Sequence, residues 1–127
     1  MLPEKDLEKA LNKAYLTALD VYFAEKPARG CFLFCTAPVE AITHPEILGD
    51  LNGLMREIDA LFETKFREAQ ENGQFPAGVD TEVAAKMAQA TLHTLAVRAR
   101  SGESKAALKK LVHYAVPLLC YSAGHTR

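Results

Sequence analysis

Residues 81–104, TEVAAKMAQATLHTLAVRARSGES, decide how this chain is read. At about 100° per residue, its apolar side chains from Val83 to Ala99 spread over roughly 260° of the helix wheel, leaving Glu82, Lys86, Gln89, His93 and Arg100 in the remaining arc. A helix in a small monomer usually shows one apolar stripe a little over about 100° wide, so this one is expected to bury two surfaces. The wheel assigns Met87, Thr91 and Leu95 to the subunit interior, and the small-residue set Ala85, Leu92, Ala96 and Ala99 to a partner chain. Gly102 is positioned to end the helix and Ser104 to cap another, which runs through Leu108, Leu111, Val112, Ala115, Leu118 and Leu119 with Pro117 within it. A kink is expected near His113, whose carbonyl Pro117 cannot serve.

Working upstream, Asp80 or Thr81 is the expected N-cap, and Asn72-Gly73 followed by Pro76 closes the preceding helix. That helix is predicted to start from a capping box, Thr43-His44-Pro45-Glu46, and to bury Leu48, Leu51, Met55, Ile58, Phe62, Phe66 and Ala69. Pro3 to Ala24 reads as a further helix with a stripe of Leu7, Leu11, Ala14, Ala18, Val21 and Tyr22. Cys31-Phe32-Leu33-Phe34-Cys35 is apolar on every side and is assigned to a short buried helix, because nothing else here alternates with period two. The result is an all-α domain of four main helices and one short one over residues 1–121, with a loose tail at 122–127.

A length of 127 residues fits one domain, and a formal net charge of -1 argues against a nucleic-acid surface, which needs clustered Lys and Arg. Three cysteines do not make a disulfide framework, no apolar run approaches the ~18 residues of a membrane span, and a reducing cytoplasm is the expected setting. Chemistry is thinly supported. Cys31 and Cys35 lie four apart, with His44 not far beyond, but no second ligand pair stands at zinc spacing, so no metal or cofactor is expected. The four histidines share no spacing, His93 is read as a solvated side chain, and Glu40 is the one carboxylate in an apolar neighbourhood. No catalytic residue is assigned. Several wide apolar arcs with scattered hydroxyls favour an apolar pocket with a few polar fixtures.

Three segments in order carry a resemblance: Arg29-Gly30-Cys31-Phe32-Leu33 leading through small residues to Glu40; Ala69-Gln70-Glu71-Asn72-Gly73-Gln74-Phe75; and Val97-Arg98-Ala99-Arg100-Ser101-Gly102 leading to Leu108 and Leu111. Together they resemble the C-terminal ligand-binding and dimerisation domain of the tetracycline-repressor (TetR) family of bacterial transcriptional regulators. The resemblance implies a homodimer whose last two helices form a four-helix bundle with the same pair of a second subunit. It also implies a pocket among the earlier helices for a small, often apolar, effector. On that basis the expected ligand-binding side chains are Tyr15, Leu19, Phe34, Thr36, Met55, Ile58, Phe62, Met87 and Thr91. The expected dimer contacts are Leu92, Ala96, Ala99, Leu108, Leu111, Val112, Ala115 and Leu119.

Members of the family read operator DNA with an N-terminal helix-turn-helix, which the few residues before Pro3 have no room to encode. The chain alone is therefore expected not to bind DNA, and the poorly capped start at Leu2 suggests a piece cut from a longer regulator. Two other readings compete: a small helical thiol-dependent redox enzyme or sensor using Cys31 and Cys35, and a dimeric adaptor with a filled core and no ligand.

Overall fold

The computed structural model describes residues 6–24 and 44–121, which form four helices: α1 (Asp6–Tyr22), α2 (Pro45–Glu71), α3 (Thr81–Arg100) and α4 (Lys105–Tyr121). No strand occurs among the described residues, as expected of an all-α domain. The short helix proposed around Cys31–Cys35, and the site residues Phe34 and Thr36, lie outside the described residues.

The helix boundaries follow local chemistry. α2 ends at Asn72, whose backbone N–H donates to the Glu68 carbonyl, and Gly73 then takes a φ of 75°, a left-handed conformation that a Cβ would penalise. Gln70 secures the connection to α3: its side-chain amide donates to the carbonyls of Pro76 at 2.9 Å and Val79 at 2.8 Å. Asp80 is the N-cap of α3, accepting from the backbone N–H groups of Glu82 at 2.9 Å and Val83 at 3.3 Å, a device worth about 0.5–2 kcal/mol. Gly102, at φ 105°, closes α3, and the Ser104 hydroxyl accepts from the Ala107 N–H to open α4. The capping box expected at the start of α2 is not formed as drawn. His44 is the N-cap and makes no side-chain cap bond, so Pro45 and the acidic Glu46 in the first turn mark that end.

Lys105 at the start of α4 reaches Asp20 near the end of α1 at 2.7 Å, so α1 and α4 run antiparallel. Two reversals, α2 to α3 and α3 to α4, then set α2 antiparallel to α1 as well. α2 packs most extensively on α3, and α1 on α4, around a single core. Its largest fully buried members are Tyr15, Phe66, Leu11, Leu19, Leu95, Leu108, Val112 and Val116. Phe75, just past the α2 turn, stacks obliquely on Phe66 with ring centroids 4.9 Å apart.

Two helices are rotated from their expected settings. The core stripe of α1 is Leu7, Leu11, Tyr15, Leu19 and Tyr22, while Val21 is exposed and Ala14 lies beside the core. On α3 the buried face is Ala85, Ala88, Gln89, Leu95, Ala96 and Ala99, with Met87 outside. Gln89, expected in the polar arc, is buried because α2 presents two acceptors to it: its amide donates to the Met55 carbonyl at 3.1 Å and to the Asp59 carboxylate.

Candidate functional site

α1 carries a row of small side chains beside its core stripe: Ala10, Ala14 and Ala18, spaced four apart and so stacked along one face. α2 faces this row with Leu54, Ile58, Leu61 and Phe62. Methyl groups cannot fill the space between two such helices, and a groove of about 530 Å³ remains, open along one side, with Leu11 and Leu92 also in its lining. Its size falls within the roughly 300–1,000 Å³ typical of small-molecule sites. The lining is apolar almost throughout; Thr17 adds a hydroxyl and Lys65 an ammonium group.

Of the expected ligand-binding residues, Ile58 and Phe62 line this groove. Tyr15 and Leu19 do not; both are fully buried and lie further round α1 from the alanine row. The Tyr15 phenol donates to the Ala88 carbonyl at 2.7 Å and also bonds to Thr91, and burial raises its pKa well above the usual tyrosine value. Tyr15 and Thr91 thus tie α1 to α3. Met55 is half-buried on the side of α2 that meets Gln89, and Met87 points away from the core altogether. The alanine row was visible in the sequence as part of an apolar stripe, but Leu54, Leu61, Thr17 and Lys65 were not singled out; the usable signal was the pairing of an i, i+4, i+8 alanine row with bulky residues on another helix.

A second feature lies on the outer side of the last two helices. On α3, Val83, Met87, Ala90, Thr94 and Val97 follow one another at intervals of four, three, four and three. α4 repeats the pattern with Ala107, Leu111, Tyr114 and Leu118. This is the spacing of a helix–helix seam, yet Val83, Met87, Val97, Tyr114 and Leu118 are exposed in the single chain. Of the residues expected to make dimer contacts, Leu111 belongs to this row, Ala115 is half-buried, and the others are placed differently. Ala96, Ala99, Leu108 and Val112 are buried in the core of their own chain, and Leu92, Leu111 and Leu119 pack partly against it. α3 packs against α1, α2 and α4, and its alanines are what permit that close approach.

A family model described as "Tetracyclin repressor-like, C-terminal domain" matches residues 9–115. The chain belongs to this family of TetR-like C-terminal domains. No curated protein and no solved structure matches the chain. The family implies the ligand-binding and dimerisation domain of a transcriptional regulator.

Among the described residues, Cys120, Gln89 and His93 take part in packing between helices of this TetR-like domain. Cys120 is buried at the far end of α4, where desolvation, reinforced by Glu8, pushes its thiol up to about 12, so it stays a neutral hydrophobe at physiological pH. Cys31 and Cys35, on which the redox alternative depends, lie outside the described residues. Gln89 links Asp59 to His93, whose Nε2 lies 3.3 Å from the Gln89 Oε1. His93 is therefore half-buried in a polar contact between α2 and α3 rather than a solvated surface group. Among the described residues no group of three or more His, Cys, Asp or Glu is arranged to hold a metal, and no helix is long and apolar enough to cross a membrane.

Proposed function

We propose that this chain is the effector-sensing and dimerisation module of a cytoplasmic bacterial TetR-like transcriptional regulator, acting as a homodimer and binding a small, largely apolar molecule between α1 and α2. The observation that carries the reading is the groove of about 530 Å³ with an apolar lining, beside two helices that each expose a seam-spaced apolar row. The seam is Val83, Met87, Ala90, Thr94 and Val97 of α3 with Ala107, Leu111, Tyr114 and Leu118 of α4, and its occupant is the same surface of a second copy, since an isologous pair buries both rows at once.

The chemistry is binding, not turnover. An effector alters operator affinity only through its differential affinity for two packings of the helices, typically about 1–3 kcal/mol of coupling. DNA recognition is assigned to a separate reader in the parent regulator, because this chain's net charge of -1 lacks the excess of Lys and Arg that phosphate contacts require.

The test is to fill the groove. A panel of apolar compounds is screened by thermal shift against the wild-type chain and an Ala14→Phe variant. A compound present at 100 times its dissociation constant stabilises the native state by about 2.7 kcal/mol, several degrees in melting temperature for a domain of this size. The expected result is a shift in the wild type that disappears in Ala14→Phe. No shift with any compound, or an equal shift in both proteins, would sink the groove as the binding site.

A further inference from the structure

The groove carries one charged side chain, and its place on the helices points to the chemistry of the occupant. Because α1 and α2 are antiparallel, Lys65 lies toward the Ala10 end of the groove, whereas Tyr22 and Leu54 lie at the other. From Ala10 to Tyr22 the groove follows α1 for about 18 Å at 1.5 Å per residue, enough for an extended chain of roughly a dozen carbons. Lys65 is only loosely engaged: its ammonium group is 3.8 Å from a Glu68 carboxylate oxygen, with both side chains about half exposed. Such a surface pair contributes little, so exchanging Glu68 for another carboxylate costs little.

We propose that the groove binds a linear aliphatic carboxylate, with its chain laid along the Ala10, Ala14 and Ala18 row and its head group against Lys65. This rests on the groove being the effector site. A single ammonium group calls for a single negative charge; a polyphosphate head would leave charges without a partner. An uncharged chain would leave Lys65 without a role in recognition, and a cationic head would be repelled by it. Lys65 is about half exposed, so its pairing with a carboxylate is partly screened by water and sets a preference of a few-fold rather than the bulk of the affinity.

Three probes of equal chain length separate the possibilities: dodecanoate, methyl dodecanoate and dodecylammonium, titrated calorimetrically into the chain at low salt and below the concentrations at which they form micelles. Dodecanoate is expected to bind roughly 2- to 5-fold more tightly than the ester, and dodecylammonium weakest. Lys65→Met should reduce dodecanoate to the level of the ester, Lys65→Arg should keep the preference, and added salt should weaken dodecanoate alone. Equal affinity for carboxylate and ester, or a preference that survives in Lys65→Met, overturns the head-group assignment; if Ala14→Phe still blocks all binding, the groove stands as the effector site. Failure of all three probes to bind, or binding unaffected by Ala14→Phe, overturns the groove assignment and the carboxylate with it.

Discussion

Replacing Met87 with Glu should yield a folded monomer, whereas replacing Ala96 with Glu should yield an unfolded chain. The two residues lie on opposite sides of α3: Met87 is 58% exposed and Ala96 is 0% exposed. Fully burying a large apolar side chain is worth about 1.5–3 kcal/mol, so the exposed part of Met87 contributes about 1 kcal/mol when a second copy covers it. A two-fold axis counts that loss twice, and each introduced carboxylate, held in an apolar seam without a donor, costs at least about 1 kcal/mol more. The sum is on the order of 4 kcal/mol, or about a thousand-fold in the dimer dissociation constant. Glu is a good helix former, and position 87 touches little of its own chain, so the monomer should keep its circular dichroism and most of its thermal stability. At position 96 the same side chain would force a charge into a core packed at methyl-group distances, which costs more than a marginally stable domain can absorb. Sedimentation velocity over a concentration series, paired with thermal melts, measures both. A wild-type chain that stays monomeric at tens of micromolar, an unchanged dimer in Met87→Glu, or a folded Ala96→Glu monomer melting like the wild type would each refute the placement of the seam.

Two further predictions concern the polar contact between α2 and α3. Gln89→Leu should lower stability by about 2 kcal/mol, because the Asp59 carboxylate and the Met55 carbonyl both lose their donor while the volume is kept; a melting temperature equal to or above that of the wild type would be the contrary result. Burial holds the His93 pKa below its ordinary value, with Asp59 opposing the shift, so between that lowered native pKa and about 6.5 the unfolded chain binds more protons than the native one. Stability should therefore rise with pH across this window and fall as pH drops through it, and His93→Gln should flatten that slope; parallel melting-temperature profiles for the two proteins from about pH 5 to 7 would contradict it.

Turn chemistry made much of the fold legible before any coordinates. Asn72-Gly73, Asp80, Gly102 and Ser104 each satisfy a helix end by side-chain or left-handed backbone geometry, and each falls where the pattern placed it. What could not be read was how an apolar arc divides between neighbours. On α1 the arc runs from Thr17 and Ala10 through Ala14, Leu7, Ala18, Leu11, Tyr22 and Tyr15 to Leu19. Its larger side chains enter the core and its small ones border the groove. Hydrophobicity is nearly continuous across that boundary, so periodicity alone places Ala14 and Ala18 inside, and takes Tyr15 and Leu19 for pocket residues.

α3 presents the same problem in a sharper form: Leu95 and Thr91 lie inward as expected, but Ala85, Ala96 and Ala99 lie inward with them, while Met87 lies outside. An alanine face on a wheel signifies close approach of another helix, but not which helix. Here α1, α2 and α4 surround α3, and Ala85, Ala88, Ala96 and Ala99 are small because that crowding demands it. Among the described residues the outer face leaves Val83, Met87 and Val97 about half exposed. Side-chain size therefore reports how closely a neighbouring helix approaches, not whether that helix belongs to the same chain. The four-three repeat from Val83 to Val97, matched by Ala107 to Leu118 on α4, is the pattern a helix keeps when its seam must stay in register with a partner. The core face keeps the same register, since Ala85, Ala88, Leu92, Leu95 and Ala99 follow one another at intervals of three, four, three and four; both faces therefore suit helix packing, and it is the exposure of Val83, Met87 and Val97 that separates the outer one from the inner.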